Sequence, residues 1–146
     1  MALIKPTDRV LSIGDACGYA SAVIAQLAKA VVALDCDGDW VQKAAGTMAD
    51  LGIDNVDAVH GPLRRGHAAK APYDVIVFCG GIGEIPAEIT AQLGKGGRLV
   101  AVVDRAPGLG KLVRVTRDGD CFGQCETFDA WAPPLPDPAA KPSFSF

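Results

Sequence analysis

From Arg9 to Val103, short apolar runs alternate with segments of helical spacing, and no other feature of the sequence constrains the fold as strongly. Arg9 to Ile13 is an apolar run that stops at Gly14. Tyr19 to Lys29 follows, with Val23, Ile24 and Leu27 expected on one helical stripe. Ala30 to Leu34 is apolar on both faces, as a strand buried inside a parallel sheet should be. Asp39 to Leu51 is the clearest helix: Val41, Ala44, Ala45, Met48 and Leu51 share one face. Asp39 with Gln42 resembles a capping box, and Gly52 stands where a helix stops. Val56 to His60 reads as a third strand, Leu63 to Ala69 as at most a short helix, and Tyr73 to Cys79 as a fourth strand ending in Gly80-Gly81. Pro86 suits the first turn of a helix that carries Ile89 and Leu93 and ends at Gly94, and Arg98 to Val103 is a fifth strand. This rhythm predicts an α/β fold: a doubly wound, mostly parallel, Rossmann-like sheet with helices on both faces.

The pattern then changes. Six residues, Arg105 to Gly110, separate the fifth strand from Lys111–Thr116. A parallel crossover takes about a dozen residues or more, so the sixth strand is expected antiparallel beside the fifth. Arg117-Asp118-Gly119-Asp120 is a hairpin signal, with Asp-Gly supplying positive φ, and Phe122 to Phe128 returns as a seventh, edge strand. About seven strands with an antiparallel C-terminal hairpin are therefore expected. From Ala132 the chain is Pro-rich, which excludes helix and inner strand. Residues 1–131 are read as one domain and 132–146 as a tail packed on it, pinned by Phe144 and Phe146.

Composition narrows the partners. With 146 residues the chain forms one domain large enough to fold without a disulfide or metal staple. Acidic residues number 17 and basic residues 14, a net charge of −3, which gives no general attraction to nucleic acid or anionic lipid. No apolar run reaches the ~18 residues of a transmembrane helix, so no membrane insertion is expected. Met1 to Pro6 reads as neither signal nor transit peptide. Five irregularly spaced cysteines do not read as a disulfide framework, and the cytoplasm is the expected location.

The stretch Val10-Leu11-Ser12-Ile13-Gly14-Asp15-Ala16-Cys17-Gly18-Tyr19 joins the first strand to the first helix. Small residues at 14, 16 and 18 allow a sharp turn and a ligand's close approach to the helix N-terminus, whose N–H groups favour polar or anionic atoms. Asp35 ends the second strand, 21 residues after Gly14, where an acid can take both hydroxyls of a ribose. Together they imply a nucleoside-containing ligand at the carboxyl edge of the sheet. The dinucleotide fingerprint wants a third glycine where Tyr19 stands, and no Gly-Lys-Ser/Thr of a phosphate loop occurs. A small dinucleotide-dependent oxidoreductase is disfavoured on that ground and by the lack of a catalytic pair. The small-residue spacing is that of S-adenosylmethionine sites.

At this point the chain resembles the nucleotide-binding part of the protein-L-isoaspartate O-methyltransferase family, and in its last residues a proteobacterial branch of it. The resemblance is carried by Val10 to Gly14 with Gly18-Tyr19, by Val31-Val32-Ala33-Leu34-Asp35, by Leu51 to Val56, by Ala71-Pro72-Tyr73-Asp74-Val75-Ile76, and by Ile85-Pro86 with Leu93 to Val100. Gly61-Pro62-Leu63 and the C-terminal Ala132-Pro133-Pro134-Leu135-Pro136 mark the branch. The resemblance implies a Rossmann-like methyltransferase fold, S-adenosylmethionine as cofactor, a role in protein repair, and an isoaspartyl-containing protein or peptide as methyl acceptor. It places Asp35 on the ribose, the turn with Ser12, Gly14, Asp15 and Gly18 on the methionine part, and Gly61, Pro62 and Leu63 along the adenine edge. Cys36 and Cys79, at strand ends, are read as pocket-wall or core residues.

Two departures from the family pattern predict weakened cofactor binding. An acid is usual where Ser12 stands, and a glycine where Ala16 stands. Asp15 is a candidate to compensate for the missing charge. Full-sized relatives also carry several helices before their first strand, whereas this chain has eight residues before Arg9. These departures motivate an alternative, a catalytically inactive accessory subunit of a larger complex, respiratory complex I being one candidate by resemblance. No catalytic side chain is assigned, because a carboxylate acceptor is already a nucleophile at neutral pH. Cys121 and Cys125 lack a second pair to complete a metal site. His60, His67 and Arg64-Arg65 read as surface residues, and Trp40 equally as an adenine cover or as a core or surface ring.

Overall fold

A computed structural model describes residues 4–15, 18–106, 109–130 and 135. Seven strands form one sheet in the order β3-β2-β1-β4-β5-β6-β7. β1 (Arg9–Ile13), β2 (Ala30–Asp35), β3 (Val56–His60) and β4 (Tyr73–Ile82) run parallel, and β5 (Leu93–Ala106) continues parallel to β4. β6 (Leu109–Asp118) lies antiparallel on β5, and β7 (Cys121–Ala130) antiparallel on β6 as the edge strand. The expected architecture, including the reversal after the fifth strand, is the observed one.

The sheet is covered on two faces because side chains alternate along each strand. Val10, Val31 and Val75 point to the face that receives α1 (Tyr19–Ala25) through Ile24 and Ala25. Leu11, Ile13, Val32, Leu34 and Ile76 point the other way, towards Leu63 and towards Ile89 of α3 (Ala87–Thr90). α2 (Gly38–Asp50) buries Ala44 and Met48.

Several local expectations are corrected. α1 stops at Ala25, because Gln26 and Leu27 turn tightly onto Val23 and Ile24 and Lys29 donates to the Asp8 carbonyl at 2.9 Å. Its buried residues are Ser21, Ala22, Ile24 and Ala25, so Val23 and Leu27 face outward. The cap of α2 is Asp37, whose carboxylate accepts the Asp39 N–H at 2.9 Å, and not Asp39 itself. The segment after β3 makes two 3-10 turns, Leu63–Arg65 and Ala68–Lys70. β4 runs on through Gly80-Gly81 to Ile82. α3 has only four residues, and Leu93, expected on it, opens β5 opposite Tyr73. In the hairpin, Asp118 pairs with Cys121 across Gly119 and Asp120, and only Gly119 has positive φ, the pattern of a glycine-first two-residue turn. The expected pinning by Phe144 and Phe146 lies outside the described residues.

Arg98 on β5 reaches back to the buried carboxylate of Asp8, just before β1, at 3.0 Å. The same carboxylate accepts the Lys5 N–H at 2.8 Å, so the start of β1 is tied across β4 to β5. Among the described residues no helix is long and apolar enough to cross a membrane.

Candidate functional site

The carboxyl ends of β1, β2, β3 and β4 meet where the order of the sheet reverses, with β2 on one side of β1 and β4 on the other. In open α/β sheets this switch point is where ligands bind. Of the residues singled out in the sequence, Gly14, Asp15, Gly18, Asp35 and Gly61 lie there, although they are far apart along the chain.

Gly14 has φ +83° and donates its N–H to the Leu34 carbonyl at 2.8 Å, which locks the end of β1 to β2. Gly18 has φ +78° and stands at the N-terminal cap of α1. A side chain on Gly18 would meet the Met48 methyl at 3.1 Å and Ala44 Cβ at 3.2 Å. Glycine is therefore required there twice, by the left-handed backbone and by the close approach of α2. Ala16 and Cys17 lie outside the described residues.

Asp15 is buried, and its carboxylate accepts the Ser21 N–H at 2.7 Å. It thus satisfies one of the unpaired donors in the first turn of α1, where no capping bond comes from Gly18. Ser12 is fully buried, its hydroxyl 3.3 Å from Cys79 Sγ on β4. Ser12 is thus part of the β1–β4 seam.

Asp35, 7% exposed, ends β2, and one carboxylate oxygen accepts the Asp37 N–H at 3.0 Å. Its carbonyl accepts the Gly61 N–H at 3.0 Å, which brings Gly61-Pro62-Leu63 against the end of β2. Leu63 is buried in the core, and Cys36 packs against the same cluster. His60, the register partner of Asp35, is exposed; its Nε2 lies 3.0 Å from the Cys36 carbonyl and so carries the proton. His67 lies between the two 3-10 turns. Trp40, on α2, is partly exposed and has the Lys43 ammonium 4.8 Å from its ring centre. Arg64 pairs with Glu84 at 3.3 Å on the surface. Cys121 and Cys125 are exposed on β7, remote from the crevice.

Three contributors were not singled out from sequence. Gln92 is buried, and its amide donates to the Arg65 carbonyl at 2.7 Å and accepts from the His67 N–H at 3.0 Å. It fastens the turns that follow Gly61-Pro62-Leu63. Tyr73 donates to the His67 carbonyl at 2.6 Å, and burial pushes its phenol up to about 12. Leu135 lies over Gly14 and donates its N–H to the Gly81 carbonyl at 2.9 Å. The Pro-rich sequence around Leu135 carries no signal of this contact. A separate groove of about 500 Å³ opens at the opposite, amino edge of the sheet beside Arg9, Asp57, Lys70 and Tyr73. None of the residues assigned to the cofactor lines it.

Comparison with known proteins agrees with this geometry. The sequence model of protein-L-isoaspartate(D-aspartate) O-methyltransferase matches residues 1–128. The chain is 38% identical over 144 residues to protein-L-isoaspartate O-methyltransferase 1 of Rhodopseudomonas palustris (strain HaA2), covering 91% of this chain and 59% of that protein. It is 43% identical over 113 residues to the protein-L-isoaspartate O-methyltransferase of Methylibium petroleiphilum, covering 77% of this chain and 42% of that one. This chain thus spans about half the length of these relatives. A solved protein-L-isoaspartate O-methyltransferase superposes with a TM-score of 0.83 at 25% identity, over 92% of this chain and 43% of that one. A putative protein-L-isoaspartate O-methyltransferase from Plasmodium falciparum, solved with S-adenosyl-L-homocysteine, superposes with a TM-score of 0.74 at 18% identity, over 90% of this chain and 67% of that one, and shows the fold alone. The respiratory-complex alternative gains no support from these relatives. A family match over nearly the whole chain, on a sheet that reverses after its fifth strand and gathers the glycine turn and Asp35 at its switch point, means that the chain belongs to the protein-L-isoaspartate(D-aspartate) O-methyltransferase family.

Proposed function

We propose that this chain is the cofactor-binding part of an S-adenosylmethionine-dependent carboxyl methyltransferase, acting in the cytoplasm on isoaspartyl-containing protein or peptide. One observation carries the reading: a buried carboxylate, Asp35, at the end of β2 beside a turn whose Gly14 and Gly18 both have positive φ. The nucleoside end of the crevice fits such a ligand. Asp35 offers carboxylate oxygens to ribose hydroxyls, and Gly61 to Leu63 run beside it as an adenine edge. Gly14, Asp15 and Gly18 shape the methionine end. Ser12, buried against Cys79, supplies no charge there, and weakened binding is expected on that ground. Cys79 and Cys36 serve as wall residues.

When bound, S-adenosylmethionine supplies a methyl group on a positively charged sulfur. The acceptor carboxylate needs no proton removed at neutral pH, so this chain's contribution is to hold donor and acceptor in line, within ~3–3.5 Å. No acid or base has to be found among its side chains. The relatives' reported activity belongs to chains about twice as long, and acceptor binding is accordingly assigned to the enzyme as a whole.

Calorimetric titration with S-adenosylhomocysteine tests the reading. Saturable binding is expected, and Asp35→Ala is expected to weaken it by roughly tenfold to a hundredfold, the loss of hydrogen bonds to a charged group. Absence of heat and of thermal stabilisation at millimolar ligand would remove the cofactor assignment.

A further inference from the structure

The crevice at the switch point already holds a side chain of this protein. Leu135 bonds through its N–H to the Gly81 carbonyl near the end of β4, and its side chain lies against Gly14 at the end of β1. It is half-buried and packs against the larger of the two core clusters. A methyl group built on Gly14 would come within 2.4 Å of one Leu135 Cδ atom and 2.9 Å of the other. The leucyl methyls therefore rest on the bare Cα of Gly14, the surface that a missing side chain leaves open to a ligand.

We propose that Leu135 is an internal occupant of the cofactor crevice: its isobutyl group stands where the methionine part of S-adenosylmethionine would approach Gly14, and it has to withdraw before that part can seat. The proposal rests on the cofactor assignment above and adds a competitor to it. The side chain is apolar, whereas the methionine part carries an ammonium and a carboxylate. Protein interiors are close-packed, so one volume does not hold both. The apparent affinity is then the intrinsic affinity scaled by the fraction of molecules in which Leu135 has left. The contacts of Leu135 lie at the ends of β1 and β4, while Asp35 and Gly61 lie at the ends of β2 and β3. Competition is therefore confined to the amino-acid half of the ligand and spares the nucleoside half.

The test compares the full chain with its Leu135→Ala variant, titrating each with S-adenosylhomocysteine and with adenosine, which lacks the amino-acid part. Leu135→Ala is expected to bind S-adenosylhomocysteine about tenfold more tightly and adenosine equally well. In the unmodified protein carrying labelled leucine methyls, the nuclear Overhauser contact between Leu135 and the Gly14 Hα protons is expected to vanish as S-adenosylhomocysteine saturates. Equal or weaker binding of S-adenosylhomocysteine by the variant, with adenosine still bound, overturns the occupant and leaves the cofactor assignment standing. Binding of neither ligand by either protein overturns the cofactor assignment, and the occupant with it. If the variant fails to fold, the methyl contact decides: its persistence at saturation overturns the proposal.

Discussion

β2 and β7 belong to one sheet and are buried to opposite degrees. Five of the six residues of β2 are buried, whereas every residue of β7 except the last is exposed. β2 has helices against it and a hydrogen-bonded strand on each side. β7 has one neighbour, β6, and is held chiefly by its ladder. Every assigned cofactor residue lies on or just after β1 to β4, and none on the hairpin. The comparison teaches that the dry, helix-covered half of the sheet positions the site, while the hairpin completes β5 and then runs out into solvent. Its rim mixes exposed rings, Phe122 and Phe128, with charges: Lys111 pairs with Asp129 at 2.6 Å, and the Arg117 guanidinium lies 5.6 Å from the Phe122 ring centre. Charges along an edge strand discourage further strand pairing.

The largest expected effect lies in the buried half. Leu11, on β1, is fully buried, and Leu11→Ala is expected to cost about 3 kcal/mol through lost transfer energy and the cavity left behind. A denaturant-midpoint shift smaller than that of an ordinary surface substitution would break the contrast.

The next effect depends on pH. Tyr73 keeps its proton in the folded state up to about 12, against an ordinary value of 10.0, because burial disfavours the phenolate. Its contribution is therefore fully present below pH 10 and is lost as pH rises through the folded value, since the unfolded chain gives up the proton first. The loss between those two values, reduced by solvent screening, is on the order of 1–2 kcal/mol. Unfolding measured against pH should show this descent in the native protein, and Tyr73→Phe should flatten it.

The smallest effect is expected on the hairpin. Phe128→Ser, at a site 58% exposed, should move stability by no more than about 0.5 kcal/mol and leave S-adenosylhomocysteine affinity unchanged. A larger loss would mean that β7 is covered in solution, and the comparison would then need a further partner.

Much of this was legible in the residues. The switch between helical and strand spacing marks all seven strands, and the stretch from Arg105 to Gly110 is too short for a parallel crossover; in the structure its two ends extend β5 to Ala106 and start β6 at Leu109, so the reversal is tighter than expected. Gly14, Gly18 and Asp35 could be picked out because their positions relative to the first two strands are legible in the spacing, and the structure gathers them at the switch point. Boundaries were less legible where hydrogen bonds between distant segments decide them. Leu93 follows a helical pattern yet pairs with Tyr73, and Asp37 displaces Asp39 as the cap because its carboxylate meets the Asp39 N–H.

The sequence by itself determined the α/β class and the sheet reversal and pointed to the edge proposed for the nucleoside, since each follows from spacing along a chain whose strands alternate their faces. Only the tertiary structure decided what each polar group does at that edge. Ser12 was turned to Cys79, Asp15 was committed to the first turn of α1, and Leu135 was brought onto Gly14 from the far end of the chain. Such pairings depend on which atoms come within a few ångströms after packing, and local spacing holds no record of that distance.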